Sequence, residues 1–153
     1  MISKRYIKLF KNIIAIILVI NGIFSIISII NKTKIYNSEF ESAPLENIIE
    51  NSNDATHMWN SGSITNERDM VVSLTKFSGN TDRGLIISDT GEIVIDSDIK
   101  KGQIKLLIMD ENKEVIFFEE LNEEGKTINT KPGAYNVILR GKSFSGKIFV
   151  SGE

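Results

Sequence analysis

The chain has 153 residues, a formal charge of -2, no cysteine, one histidine and one tryptophan. Without thiols there are no disulfides, thiolate nucleophiles, lipidated anchors or cysteine-ligated zinc, so any domain must be held by its own core. Four of the 18 basic residues precede the apolar run described next, leaving 14 against all 20 acidic residues after it, so the two parts carry +4 and -6. An acidic remainder with no Lys/Arg stripe argues against nucleic acid as a partner.

Residues 1–12 form a basic cytoplasmic tail with Lys4, Arg5, Lys8 and Lys11. Residues 13–30, IIAIILVINGIFSIISII, carry no charge. About 18 residues at about 1.5 Å each cover roughly 27 Å, enough for one transmembrane helix. The isoleucines, Leu18, Val19 and Phe24 favour insertion by about 0.3 to 0.6 kcal/mol each near the centre, against Asn21, Gly22, Ser25 and Ser28. In a soluble fold, a helix apolar on every side would have to be buried on every side, and the remaining chain offers little to bury it. The basic flank keeps the amino terminus in the cytoplasm and makes the run a signal anchor, with the rest of this single-pass cell-membrane protein extracytoplasmic. Signal cleavage stays open as an alternative. The run is longer than the usual signal core of about 7 to 15 residues, and it exits through Ile29, Ile30, Asn31 and Lys32 without a small-x-small site. Asn21, Ser25 and Ser28 share one helix face beside Gly22, a candidate stripe for helix association, with a merely lipid-facing surface as the alternative.

Residues 31–65, rich in Asn, Ser, Glu and Thr, read as a polar tether. Leu45, Ile48 and Ile49 after Ser42 and Pro44 suggest a short helix near residues 44–50, packed on the domain or lying on the outer leaflet. His57-Met58-Trp59 holds the only His and Trp. No second His or Cys can complete a metal shell, and a Ser-His-acid triad would have to draw on this tether. The simpler reading docks Trp59 on the domain.

Residues 66–153 read as an all-β ectodomain of about eight strands, at residues 70–77, 85–88, 92–96, 103–109, 115–119, 126–130, 134–140 and 147–151. Asp89-Thr90-Gly91 closes a hairpin with Gly91 in the left-handed region, Lys131-Pro132-Gly133-Ala134 fits a type II turn, and Lys100-Lys101-Gly102 and residues 110–114 close two more. Ile93 and Ile95, then Ile104, Leu106 and Ile108, then Tyr135, Val137 and Leu139, then Ile148 and Val150 fall on single faces at period two. One face in and one face out describes an antiparallel β-sandwich, jelly-roll-like, with sheets about 10 Å apart. Leu107, Met109, Phe117, Phe118 and Phe149 do not all fit the inward faces; they form either a second layer of core or an exposed patch.

The segments QIKLLIMD, VIFFEEL and KPGAYNVILRGKSFSGKIFV, within residues 102–150, resemble the closing half of small bacterial sandwich modules of the prepeptidase C-terminal type. There a strand ending in Asp is followed by a Pro-Gly-x-Tyr turn and strand. The resemblance implies a non-catalytic accessory domain and carries over no functional residue. The layout of anchor plus sandwich is also similar to small membrane-anchored envelope proteins of low-GC Gram-positive bacteria.

Asp96, Asp98 and Asp110-Glu111-Asn112 offer oxygen ligands for calcium, but residues 110–114 lack the glycine and spacing of a calcium loop, and Asp and Asn cap turns far more often. Glu119, Glu120, Glu123 and Glu124 form an acidic cluster, read as a solvated loop. No catalytic, cofactor-binding or metal residue is assigned. The leading expectation is a non-enzymatic binding or interaction module, with Trp59, Phe117, Phe118 and Phe149 as its partner surface and an envelope protein or the cell wall as its partner. The alternatives are an accessory or stress-response subunit acting through its membrane helix, a protein secreted after cleavage, and, more remotely, a hydrolase.

Overall fold

A computed structural model describes residues 4–55 and 62–153 of the chain. The apolar run lies inside α1, Lys4–Ser38, a helix of 35 residues. It continues eight residues past Ile30, through residues 31–38, which contain no Gly or Pro. The hydroxyls of Thr33 and Ser38 also donate back to the carbonyls of Ile29 and Ile35, at 2.9 and 2.8 Å. The apolar window within Phe10–Ser38 buries none of its residues in the rest of the chain.

The stretch expected as a tether is instead packed. Phe40 and Ile48 are each only 1% exposed. Ile48 belongs to α2, Leu45–Glu50, which starts after Pro44; the fixed φ of proline and its missing N–H suit a helix start. Ala55 then bridges to Gly79 in the sheet. His57 and Trp59 lie outside the described residues.

Among the described residues six strands follow: β1 Gly62–Thr65, β2 Asp69–Ser88, β3 Glu92–Met109, β4 Val115–Glu120, β5 Lys126–Asn129 and β6 Gly133–Gly152. They pair antiparallel in the order β1-β2-β6-β3-β4, with β5 also on β3. The described residues thus form six strands where about eight were expected. The expected segments 70–77 and 85–88 are one strand, as are 92–96 with 103–109 and 134–140 with 147–151. Lys100-Lys101-Gly102 is not a hairpin turn but a bend inside β3, since β6 pairs with β3 on both sides of it. The bends of the three long strands meet: Phe77 pairs with Phe144, Gly79 with Gly141, and Lys101 with Ser145. Together they form a crease.

The crease folds the sheet on itself. One layer holds β1, β5 and the crease-to-end halves 69–77, 92–99 and 144–152; the other holds β4 with 79–88, 101–109 and 133–142. Side chains from both layers form one buried cluster, which includes every core residue expected from alternation together with Met70, Val72, Leu74, Phe77, Ile86, Leu121 and Phe144. That arrangement is a β-sandwich. A second cluster lies outside it, where Leu107, Met109 and Ile138 on the outer face of the second layer meet Ile48, Leu45 and Phe118.

Two turns can be compared with expectation. Gly91 does hold a positive φ of 83°. Gly133 does not adopt the positive φ of a type II turn and is already the first residue of β6. The turn is closed by the buried Tyr135, whose hydroxyl donates to the Lys131 carbonyl.

At the free end of the first layer, Ser151 Oγ donates to Asp69 Oδ1 at 2.6 Å and Asn66 Nδ2 to Asp69 Oδ2 at 3.0 Å. These bonds, led by that from Ser151, hold the Asp69 carboxyl below its usual range. A depressed folded pKa stabilises the fold above the ordinary carboxylate value of about 4, and that stability is lost as pH falls through the folded value. Asp69→Asn is therefore expected to lower the melting temperature near neutral pH, with the gap to wild type closing as the buffer is taken through pH 4. A gap that stays constant into acid would remove Asp69 from the acid response.

Candidate functional site: a groove under the short helix

The junction of α1 with the sandwich positions everything outside the main core. Arg140, in β6, is 3% exposed. Its guanidinium donates to the Glu39 carbonyl at 2.8 Å, the Phe40 carbonyl at 3.4 Å and Asn80 Oδ1 at 2.9 Å. Burial pushes its pKa down, opposed by nearby Glu39, yet a guanidinium starts so high that it stays charged. Asn80 Nδ2 reaches on to the Asn51 carbonyl at 3.2 Å. Phe40 sits under Lys105, whose ammonium lies 4.8 Å from the ring centroid and 2.7 Å from Glu41 Oε2. In the last turns of α1, Asn37 donates to Ser143 Oγ and accepts from Ser78 Oγ, both at 3.1 Å. The helix is thus joined to the crease by side chains from both strands of the bend, and α2 is carried onto the second layer's outer face.

Between α2 and that face, toward the strand ends remote from the crease, runs a groove of about 570 Å³. That volume is within the usual small-ligand range. Its apolar part comes from Ile49, Leu85, Met109 and Ile138, and its polar part from Asp82, Asn136, Glu111 and Lys113. The pairing of β2 with β6 shifts register between Asp82 and Gly84, whose φ is 92°. A bulge of this kind re-aims the following side chain, and Leu85 stands 60% exposed. Asp82 is fixed by accepting from Gly84 N at 2.8 Å and Asn136 Nδ2 at 3.2 Å. Asp110, also in the lining, spends Oδ1 on the N–H groups of Asn112 and Glu114, at 2.9 and 2.8 Å, which makes it a turn cap. Among the described residues no group of three or more His, Asp or Glu could hold a metal ion. An apolar floor with a few fixed polar groups is an arrangement that can orient a ligand.

The expected partner surface divides. Phe117 is half-buried against the main core, with the Lys126 ammonium 5.6 Å from its ring, and Phe118 packs on the second cluster. Both are only partly exposed, Phe117 facing the main core and Phe118 the second cluster beneath α2. Phe149 stays 38% exposed on the outer face of the first layer, between Val71 and Asp96. Trp59 falls outside the described residues. Asn21, Ser25 and Ser28 all lie on the exposed surface of α1, and Ser25 Oγ donates to the Asn21 carbonyl of its own helix at 2.9 Å. Arg140 and Leu85 carried no signal of their own. The usable hint was collective: an outward row in which Leu107, Met109 and Ile138 keep company with an arginine is a face that something covers.

No family model matches the chain, and no curated protein matches it. Among solved structures, a cupin domain from Bordetella pertussis Tohama I is similar at 17% identity, over 61% of this chain and 92% of that one, with a TM-score of 0.34. A carbohydrate-binding module from Cellvibrio mixtus lichenase 5A, solved with cellotriose, aligns at 10% identity over 68% and 93%, TM-score 0.38. A family 29 carbohydrate-binding module with mannohexaose aligns at 13% over 67% and 79%, TM-score 0.32. Likeness this distant carries no functional argument.

Proposed function

We propose that this is a single-pass membrane protein, amino terminus in the cytoplasm, which holds a non-enzymatic β-sandwich interaction module outside the membrane on a rigid joint. The observation that carries the reading is α1 itself: its apolar window is unburied, while the sandwich completes a core without it. An exposed helix of that length is at home in hydrocarbon. The joint through Arg140 and Asn37 then fixes how the module stands on the bilayer, with the groove at the end remote from the crease. Glu111 and the exposed Leu85 suit an envelope-protein segment that presents an apolar side chain beside a basic one. The jelly-roll-like reading is part of the proposal and is supported by pairing order: each long strand serves both layers, as two consecutive strands would. The resemblance to prepeptidase C-terminal modules is likewise proposed, and the structural use of Tyr135 in the Pro-Gly-x-Tyr turn supports it.

A second reading, an accessory subunit acting through its helix, is favoured by Asn21, exposed in the middle of an apolar surface. One experiment separates the two. Intact spheroplasts carrying chains tagged at both ends are treated with protease, and photocrosslinking from position 113 in the groove is compared between the native chain and one with an unrelated membrane helix. Loss of only the carboxyl-terminal tag, with a crosslinked product that survives the helix swap and disappears in Leu85→Asp, is the expected result. Protection of that tag refutes the topology. A product lost with the native helix transfers the function to α1.

A further inference from the structure

A second cleft, of about 450 Å³, lies on the other side of the joint, between α1 and the crease. Its walls collect three lysines from distant stretches of sequence: Lys34 on α1, Lys76 in the bend of β2 and Lys101 in the bend of β3. Thr75, Ser143 and Ser145 add hydroxyls, and no carboxylate is among its lining residues. All three lysines are exposed. Lys76 is placed there by its backbone, held at a φ of 54° by donation of its N–H to Ser145 Oγ at 2.9 Å. A lysine gains nothing from that conformation by itself, so the bend dictates where its ammonium emerges. Ile30, the last residue of the apolar run and one helical turn before Lys34, lines the cleft as well.

The cleft is therefore amphipathic, with hydrocarbon beside ammonium. Its charge also runs against that of the domain. At the opposite, free edge Glu67, Asp69, Asp89 and Glu153 lie around the strand ends, with Arg68, paired to Asp89, among them. A molecule polarised in this way turns its basic edge toward an anionic surface and its acidic edge away.

We infer that the crease cleft binds the headgroup phosphate of an anionic glycerophospholipid in the leaflet from which α1 emerges. The three ammonium groups and the hydroxyls take the phosphate oxygens, and Ile30 lies beside the upper acyl chain. The inference rests on the anchored reading above, because only an inserted α1 brings Ile30 to the level of the headgroups. It adds a role to the bend: the segments that fold the sheet over also set the sandwich's footing on the bilayer.

The test uses the full chain in nanodiscs of phosphatidylcholine, with and without phosphatidylglycerol, released for native mass spectrometry to count retained lipid. Wild type is expected to keep phosphatidylglycerol in preference to phosphatidylcholine. Lys76→Asn with Lys101→Gln is expected to weaken that retention roughly tenfold or more, since each lysine near an anionic surface contributes a several-fold effect. Asn is chosen at position 76 because it tolerates the left-handed backbone. Lys34→Gln, on the helix and outside the sheet, should weaken retention several-fold and serves if the double variant fails to fold. Equal retention of the two lipids, or retention unchanged in both variants, overturns the inference while leaving the anchor intact. Displacement of the lipid by free glycerol phosphate overturns the leaflet assignment in favour of a soluble phosphate ester. Failure of the chain to enter nanodiscs at all refutes the anchored reading and this inference together.

Discussion

Arg140→Met is expected to lower the stability of the full chain by about 2 to 4 kcal/mol, because it leaves buried Asn80 Oδ1 without a donor, at roughly 1 to 3 kcal/mol, and takes the charged donor, at about 0.5 to 1.5 kcal/mol each, from two carbonyls that keep Ala43 N–H and Lys105 Nζ. Methionine keeps most of the volume, so the loss is polar rather than a cavity. The acceptors are the Glu39 and Phe40 carbonyls and Asn80 Oδ1. The first two end the path from α1 and the third anchors residue 51 through Asn80 Nδ2. Unfolding should therefore begin locally: limited proteolysis is expected to cut between Phe40 and Asp54 well below the temperature at which the sheet melts. Arg140→Lys should recover only part of the loss, since one ammonium cannot span a forked set of oxygens. If Arg140→Met melts within a degree or two of wild type and residues 40–54 stay protected, the joint is held by packing of Phe40 and Ile48, and the guanidinium is incidental.

The same joint shows where the sequence was legible and where it was not. Alternation at period two found the main core because Ile93, Ile95, Ile104 and Leu106 each have a polar neighbour in sequence, and these residues and Ile108 are all buried. It read Leu107 and Met109 as surplus, because a strand with both faces apolar breaks the period when a helix covers its outer side. That helix was hard to weigh: six residues of α2 have too little periodicity to distinguish a docked element from a polar tether. Phe40 stood alone in sequence, and only the fold brings Lys105 and Lys142 over its ring, at 4.8 and 5.7 Å. The crease cleft was illegible for a different reason. Lys34, Lys76 and Lys101 are unremarkable solvated lysines until the bends of β2 and β3 and the end of α1 come together, and a search for a linear basic stripe cannot see them. Lys100-Lys101-Gly102 was read as a hairpin because a left-handed glycine after two polar residues serves a turn and a mid-strand bend equally well.

That glycine gives the other large expected effect. Gly102→Ala should destabilise the chain by about 2 to 4 kcal/mol, from a left-handed backbone costing about 1 to 2 kcal/mol and a forced displacement of similar or larger size. Gly102 has a φ of 79°, and an added Cβ would lie 2.4 Å from the Ser143 carbonyl oxygen and 2.5 Å from that of Lys142. Both obstacles are backbone, so no side chain can swing aside; β6 itself must move away from β3 at the crease. Gly84→Ala isolates the two causes. Its φ is 92°, but its Cβ would meet nothing within 4 Å, so only the conformational penalty of about 1 kcal/mol or slightly more applies. Comparable melting temperatures for the two variants would show that the crease is slack and that the strands can part there. A markedly lower one for Gly102→Ala, with Ile93 and Ile148 of the first layer still slow in amide exchange, would locate the strain in the bend. The bend carries Lys101 next to Gly102 and packs Ser143 against Asn37 of α1. Opening it should therefore also reduce phosphatidylglycerol retention in nanodiscs while Gly84→Ala retains it, because the cleft depends on how closely β3 and β6 approach at that one point.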